Sequence, residues 1–351
     1  MLKKVLLYVF CYASSFSMLH AQDARVAQYQ SVPILMNPAQ TGDFTGSLRI
    51  SSLYAMVKSE AAKNQLLNIS IDQKLGRKEQ WALGLNYMTS GHSEFAMSGQ
   101  YLGLSLAHVI RLDKRDIQTL RIGAMASLLS GKLDLHKGNY DHNLDVRAFR
   151  YWEPDDPSGN HNGSDNYFNV GIGAKYVFAT GRIRFETGYS AYNVTNPDYT
   201  IMGEGEQSKR VRVTALTMFQ YQLNSRNALR FEHLSWKEGL YMRVYDRASD
   251  DSTDIHETIN NLSWLHSWKD QSISVGVYTR SWKAAGATLK YAFNQQFALA
   301  INHELPFLKK YYDVGHFELS AFVYLFNKKK ATENRPSRQN EIEGLLPLPA
   351  K

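Results

Sequence analysis

The stretch QLLNISIDQKL, residues 65–75, changes character with every second residue and not with the period of a helix. Apolar side chains at 67, 69 and 71 alternate with polar ones at 68, 70 and 72. WALGLNY (81–87) and YLGLSLAHVI (101–110) alternate in the same way. Because successive side chains of a strand point to opposite faces, each stretch predicts a strand with one apolar face and one small or polar face.

Two architectures can use such strands. A soluble sandwich buries the apolar rows between two sheets, whereas a membrane barrel turns them toward lipid. Aromatic residues make up 12% of the 351 residues, yet the mean hydropathy is only -0.39, a combination that a barrel explains and that a secreted sandwich also allows. Arg184 and Glu186 share one face of a predicted strand, and a charged inner row belongs in a wet lumen. The sequence therefore favours the barrel.

The N-terminus has the layout of a secretory signal peptide. The basic residues Lys3 and Lys4 precede an apolar stretch, 5–19, and the predicted cleavage follows Ala21. Cys11, the only cysteine, lies inside this signal, so the mature chain is expected to have no disulfide and no thiolate site. Residues 1–21 are therefore predicted to be absent from the mature protein.

The formal net charge is +7, and removal of the two signal lysines leaves +5. An exported chain does not normally meet nucleic acid, so no nucleic-acid partner is expected. Anionic lipid, glycan or an acidic partner could use this charge, and solvated loops could equally account for it.

Residues 22–46 form a turn-rich segment that precedes the first predicted strand. The Asn37-Pro38 pair favours a turn, and Gly42 tolerates a positive φ. The segment is predicted either to fold into the lumen or to lie under the periplasmic rim.

Three motifs in this chain resemble the PorP/SprF family of the type IX secretion and gliding systems of Bacteroidetes. They comprise an opening motif and two later strand motifs: Gln28, Tyr29, Met36, Asn37, Pro38, Ala39 and Gly42; Tyr192 and Asn193 with Pro197; and His316 with Glu318. The resemblance covers most of residues 22–326. It marks these residues as candidate family motif or partner-docking positions.

The resemblance implies an all-β, transmembrane antiparallel β-barrel in the outer membrane. It also implies a non-enzymatic role in the export or surface attachment of a cognate secreted protein such as an adhesin. The implied partners are outer-membrane lipid, periplasmic type IX lipoproteins and ring subunits, and that secreted surface protein. The rival functions are a diffusion channel for small solutes and a soluble sandwich that binds glycans.

The barrel is predicted to span 47–326 with about fourteen strands, because single-chain bacterial barrels have even strand numbers. Its later part includes predicted strands at 228–236 and 240–246. Residues 131–166 are predicted to form a long extracellular loop. Tryptophans near strand ends are expected in interfacial girdles, with stacked core residues as the alternative: Trp236, Trp264, Trp268 and Trp282.

The C-terminal segment 327–351 is predicted to be a basic, disordered periplasmic tail. It begins with Lys328, Lys329 and Lys330 after Asn327 and carries a net charge of +3. These lysines are candidates for docking a periplasmic partner, and an inert tail is the alternative.

No motif for catalysis or for a cofactor was found, and the histidines do not have metal-ligand spacing. The nearest approach to an acid–base pair is His303 with Glu304, or His316 with Glu318. Both pairs are expected to be polar residues of the lumen or rim, so no enzyme activity and no cofactor are predicted.

Overall fold

The computed structural model describes residues 26–58, 63–76, 79–92, 97–115, 117–134, 162–197, 206–209, 211–224, 227–245, 250–268, 272–294, 296–307 and 315–325. Within them, three single-turn helical segments precede the strands: 3₁₀ turns at Tyr29–Ser31 and Pro38–Gln40, and α1 at Pro33–Met36. The fifteen strand segments are β1 (Leu48–Lys58), β2 (Lys63–Leu75), β3 (Trp81–His92), β4 (Met97–Arg111), β5 (Gln118–Asp134), β6 (Asn162–Thr180), β7 (Ile183–Tyr192), β8 (Glu206–Lys209), β9 (Arg212–Gln222), β10 (Ala228–Tyr245), β11 (Asp250–Trp268), β12 (Ile273–Arg280), β13 (Ala284–Ala292), β14 (Phe297–Pro306) and β15 (Gly315–Leu325).

The strands form one antiparallel sheet that closes on itself. Strands that follow one another in sequence are mostly neighbours in the sheet, as hairpin connections allow. The last strand returns to the first, since β15 pairs with β1 from Leu48↔Leu325 to Lys58↔Gly315. The strand order begins at β11 and reaches β10 at its other end, and these two strands pair with each other, which closes the ring. The chain is therefore a barrel.

The ring has fourteen strand positions, which confirms the predicted strand number. Both β8 and β9 pair with β10, one beyond the other, at Leu240↔Lys209 and Lys237↔Val213. These two segments therefore occupy one position in the wall, and the fifteen described segments make fourteen positions.

Two sequence predictions about the strands were wrong. The strands predicted at 228–236 and 240–246 are one strand, β10, because the backbone ladder continues through Glu238↔Glu257 and Gly239↔His256 where the side-chain alternation pauses. The loop predicted at 131–166 is too long at both ends, since β5 runs to Asp134 and pairs there with Asn162 of β6.

The apolar rows face outward and the polar rows face inward. On β4, Leu104 is 53% exposed and its neighbour Ser105 is 1% exposed, and on β2 the exposed fraction falls from 38% at Ile69 to 0% at Asn68. A sandwich would cover the apolar row with a second sheet, whereas here it forms the outer surface. This is the pattern of a wall that meets acyl chains.

The tryptophans divide between the two faces. Trp264 and Trp282 are exposed on the outside, as interfacial residues would be. Trp236 is only 5% exposed and points inward, where its ring lies 4.8 Å from the guanidinium carbon of Arg212. The girdle prediction was therefore wrong for Trp236, because inward residues of this barrel pack against the N-terminal segment.

Three predicted segments lie partly or wholly outside the described residues. They are the signal peptide 1–21, the middle of the 131–166 loop, and the tail 327–351 with Lys328, Lys329 and Lys330. The division of the chain into these segments stays a prediction. None of the helical segments in the described part has the length and apolar character of a membrane-crossing helix.

Candidate functional site: a plugged lumen

Residues 26–46, named the plug below, lie inside the ring of strands. Most of their side chains are buried, and they contact inward-facing residues of strands on different sides of the barrel. Of the two positions that the sequence left open for this segment, the described residues occupy the lumen. The candidate site is therefore the contact between plug and wall.

Asn37 holds the middle of the plug against β6 and β7. Its Nδ2 donates to the carbonyl oxygens of Ala174 and Tyr189, both at 3.2 Å. Its Oδ1 accepts a hydrogen bond of 2.9 Å from the amide of Ala39, which caps the second 3₁₀ turn. The Asn37-Pro38-Ala39 motif thus makes the plug's turn and attaches that turn to the wall.

Two glycines on neighbouring strands leave the space that the Asn37-Pro38-Ala39 motif occupies. A Cβ built on Gly123 would lie 2.4 Å from the carbonyl carbon of Pro38, and one built on Gly173 would lie 2.0 Å from Oδ1 of Asn37. Gly123 and Gly173 are register partners in β5 and β6. The wall therefore has a flat patch of bare backbone at the height of the plug's turn.

Glu318 holds the start of the plug on the opposite side. Its two carboxylate oxygens accept hydrogen bonds from the backbone amides of Ala27, at 2.5 Å, and Gln28, at 2.6 Å. The Gln28 side chain donates to the Glu318 carbonyl oxygen and accepts from the Ser320 hydroxyl, at 2.6 Å. His316 Nε2 lies 3.1 Å from Glu318. The two amide bonds to the carboxylate are short, as charge-assisted hydrogen bonds are.

Tyr29 and Gln30 extend the contact to β10. The Tyr29 hydroxyl and Gln30 Nε2 both hydrogen-bond to Glu232, the second at 2.6 Å, and Arg230 forms an ion pair with the same carboxylate. The buried carboxylate is thus satisfied by two plug residues and one wall residue.

Gly42 closes the plug near the start of β1. It adopts φ +72, and its amide donates to Asp72 at 2.6 Å. Arg49 binds the same carboxylate with two hydrogen bonds, of 2.9 and 2.8 Å, and also donates to the Gln40 carbonyl. A Cβ on Gly42 would lie 2.3 Å from that of Ala82, so both the backbone angle and the space favour glycine.

Asp43 lies in a cluster of buried cations. Lys175 Nζ is 2.5 Å from its carboxylate and Arg121 is 3.7 Å away, while Arg121 also donates to the carbonyl oxygens of Ala39 and Thr41. Burial opposes ionisation of the carboxyl, but the attraction of Lys175, Arg121 and Arg184 outweighs it and holds the pKa of Asp43 well below its usual range.

Tyr192 and Arg212 bind carbonyl oxygens of α1. The Tyr192 hydroxyl donates to Ile34 at 2.6 Å, and Arg212 donates to Leu35 at 2.9 Å while lying over the Tyr192 ring. The short helix leaves these carbonyls without partners of its own. The wall therefore supplies the donors that the plug lacks.

Apolar packing completes the contact. The plug's apolar side chains form a cluster with inward-facing apolar residues of the wall, which break the polar inner rows: Val26, Tyr29, Val32, Ile34, Leu35 and Met36 of the plug, and Leu53, Ala55, Leu66, Tyr101, Met125, Tyr192, Leu234 and Trp236 of the wall. The polar contacts set the plug's position, and this cluster removes apolar surface from water.

The structure brings most of the candidate motif residues into this one interface. The motif residues that form hydrogen bonds across it are Gln28, Tyr29, Asn37, Ala39, Gly42, Tyr192 and Glu318. Pro38 and His316 are buried in it. A role for any of these residues in docking a partner stays a prediction. Asn193 and Pro197 lie in the turn after β7, where Asn193 adopts φ 57 and accepts a 2.7 Å hydrogen bond from Asn169. Lys328, Lys329 and Lys330 lie outside the described residues.

Apart from Glu318 and Tyr192, sequence reasoning missed the main wall residues that bind the plug. Three of them contact the plug directly but belong to no motif: Glu232, Arg121 and Lys175. Each lies at a position of its strand that faces the lumen, between residues that face outward. That alternation in the sequence is the signal that could have predicted them. In the described part of the chain, no group of three metal-binding side chains comes together.

Comparison with known proteins identifies the family. The model of the family described as "Type IX secretion system membrane protein PorP/SprF" matches residues 18–322. No match is found among curated proteins.

The solved structures that resemble the chain have low sequence identity to it. The CymD monoaromatic hydrocarbon channel has a TM-score of 0.48 and 11% identity over 85% of this chain and 93% of its own. The Pseudomonas putida toluene transporter TodX has a TM-score of 0.46 and 11% identity over 86% and 93%. A Pseudomonas aeruginosa FadL homologue has 0.46 and 11% over 82% and 92%.

The family match extends from the predicted signal peptide to the last strand, and so includes the plug and nearly the whole barrel. The apolar outer face and the closed ring agree with a protein embedded in the outer membrane. The chain therefore belongs to the PorP/SprF family and is an outer-membrane component of a type IX secretion system.

Proposed function

We propose that this barrel is a plugged, non-enzymatic scaffold that aids the export or surface attachment of one cognate secreted protein, such as an adhesin. The observation that carries the proposal is the plug itself. It is bonded to strands around the ring, from Glu318 on β15 to Arg212 on β9. A lumen occupied in this way suits a docking platform better than a conduit for solutes.

The proposed partners follow from the family. Secretion lipoproteins and ring subunits would bind on the periplasmic side, where both ends of the barrel domain are expected. The cognate surface protein would bind at the barrel as it leaves the cell. A fourteen-strand barrel is too narrow to pass a folded protein, so docking and not conduction is the proposed role.

Conductance in planar bilayers separates the scaffold from the diffusion channel. Purified full-length protein is expected to be electrically silent, because the plug occupies the lumen. A steady open pore with the plug intact would favour the channel for small solutes and overturn the scaffold.

A pull-down from native membranes tests the partners. The intact protein should recover periplasmic type IX components together with one secreted surface protein. Loss of the gene should remove that one protein from the cell surface while other type IX cargo still appears there. If no cargo depends on the barrel, a cognate role is excluded.

The basic tail is the proposed periplasmic docking segment. Changing Lys328, Lys329 and Lys330 to glutamate should reduce recovery of periplasmic components, whereas changing them to arginine keeps the charge and should not. Deletion of 328–351 with unchanged secretion and unchanged assembly would show that the tail is inert.

A further inference from the structure

Lys290 is a buried lysine of the inner wall. Its side chain points inward from β13 and is 6% exposed, and its Nζ has no hydrogen bond to any described residue. It lies 4.6 Å from the centre of the Phe322 ring. The other cations near it, Arg230 and Arg49, are each already paired with a carboxylate, that of Glu232 and that of Asp72. A buried ammonium in this setting is unfavourable, and a negative charge beside it would stabilise it.

A cavity of about 50 Å³ lies beside Lys290, between the wall and the plug. Wall residues Tyr278, Thr288 and Phe322 line it on one side, and plug residues 28–31 line it on the other. A volume of this size has room for about three to five water molecules, or for a carboxylate group with its attached carbon.

Two further donors border the cavity. The Tyr278 oxygen accepts a 2.8 Å hydrogen bond from Asn302 Nδ2, which leaves its own proton available to donate. Gln30 Nε2 gives one of its two hydrogens to Glu232 and retains the other. Lys290, Tyr278 and Gln30 thus offer three donors around one small space.

Glu232 also lines the cavity, and its charge is already compensated. Its carboxylate pairs with Arg230 and accepts from Tyr29 and Gln30. The positive charge of Lys290 therefore stays without compensation among the residues that line the cavity.

We propose that this cavity binds a small carboxylate anion, with Lys290 Nζ as its main anchor and the Tyr278 hydroxyl and Gln30 amide as additional donors. Such an anion contacts the wall and the plug together. Because a ligand stabilises the state that binds it, the bound anion holds the plug in its docked position. The inference does not depend on which protein the barrel serves.

Titration calorimetry with sodium acetate tests the site on purified full-length protein in detergent. The parent should show saturable binding, and Lys290→Met should bind at least tenfold more weakly, the loss expected for one charge-assisted hydrogen bond. Lys290→Arg keeps a cation and should retain binding. Lys237→Met removes an exposed lysine and serves as the matched control.

Absence of saturable acetate binding in the parent, or equal binding by Lys290→Met, would overturn the proposal. Sodium chloride is the second titrant. Chloride binding as tight as that of acetate would show a halide site and would overturn the carboxylate assignment.

A thiol reporter measures the effect on the plug. Val32 is fully buried in the plug, so Val32→Cys in a Cys11→Ser background reacts with a maleimide only when the plug leaves its place. Acetate should slow this reaction at least severalfold in the parent and leave it unchanged in Lys290→Met. An equal rate with and without acetate in the parent would show that the anion does not hold the plug.

Discussion

A Cβ at Gly173 would lie 2.0 Å from the Oδ1 of Asn37, so the glycine leaves the space that the asparagine occupies. Asn37 is the residue through which the plug's turn bonds to β6 and β7. Its own amide group also caps that turn. The bare backbone at Gly173 therefore makes room for the residue that attaches the plug's turn to the wall.

Gly173→Ala should loosen the plug without disrupting the barrel. The added methyl group forces Asn37 away from the Ala174 and Tyr189 carbonyl oxygens, and overpacking of this kind costs about 1–3 kcal/mol. The Val32→Cys reporter should then react roughly 5- to 150-fold faster, the range that this free energy corresponds to.

The matched control is Gly91→Ala. Gly91 is also a strand glycine, but a Cβ there would meet nothing within 4 Å. Its labelling rate should equal that of the parent. Equal rates for both variants would mean that Asn37 does not depend on the bare backbone of Gly173.

Glu318→Gln should weaken the first contact of the plug. The amides of Ala27 and Gln28 would lose an ionised acceptor, which is worth about 1.5–3 kcal/mol for a hydrogen bond to a charged group. Hydrogen exchange of these two amides should accelerate by roughly tenfold or more.

The amide of Gly42 provides an internal control for that measurement, since its acceptor is Asp72 and not Glu318. Glu79→Gln, at a partly exposed carboxylate 3.8 Å from Lys74, controls for the loss of a negative charge. Faster exchange at Gly42 as well would indicate that the whole plug leaves, which would contradict a local role for Glu318.

The sequence predicted the wall better than the interior. Alternation places Ile69 outward and Asn68 inward whatever the neighbouring strands are, because it follows from the geometry of one strand. It could not place the plug, because a short turn-rich segment has no periodicity of its own. Glu232 and Trp236 contact the plug only because of the register of β10 against its neighbouring strands. The sequence of one strand does not determine that register.

The lowered pKa of Asp43 predicts that its ion pairs with the wall survive mild acid. A carboxyl with a depressed folded-state pKa stabilises the fold above its unfolded pKa, about 3.9, and loses that contribution as the pH falls through the folded-state pKa. The reporter's labelling should therefore show no Asp43-dependent change between pH 8 and pH 5.

Asp43→Asn is the matched variant for this prediction. It removes the negative charge near Lys175 and Arg121 and should raise the labelling rate by a similar factor at pH 8 and at pH 5. The rates should be corrected for the reagent's own pH dependence with an exposed single-cysteine reference. A difference between parent and variant that disappears at pH 5 would contradict the lowered pKa.

Leu104→Arg tests whether the exposed apolar row meets lipid. Leu104 lies in the middle of β4 and is 53% exposed on the outer face. An arginine at the midplane of a lipid-facing strand costs about 2–4 kcal/mol, whereas near the interface the cost falls to about 0–1 kcal/mol. Leu112→Arg, at an equally exposed leucine just beyond the end of β4, is therefore the matched control. The free energy of folding into phosphatidylcholine vesicles should fall by that larger amount for Leu104→Arg and change little for Leu112→Arg. Equal and small losses at both positions would mean that the middle of β4 faces water, and the outward apolar rows would then need another explanation.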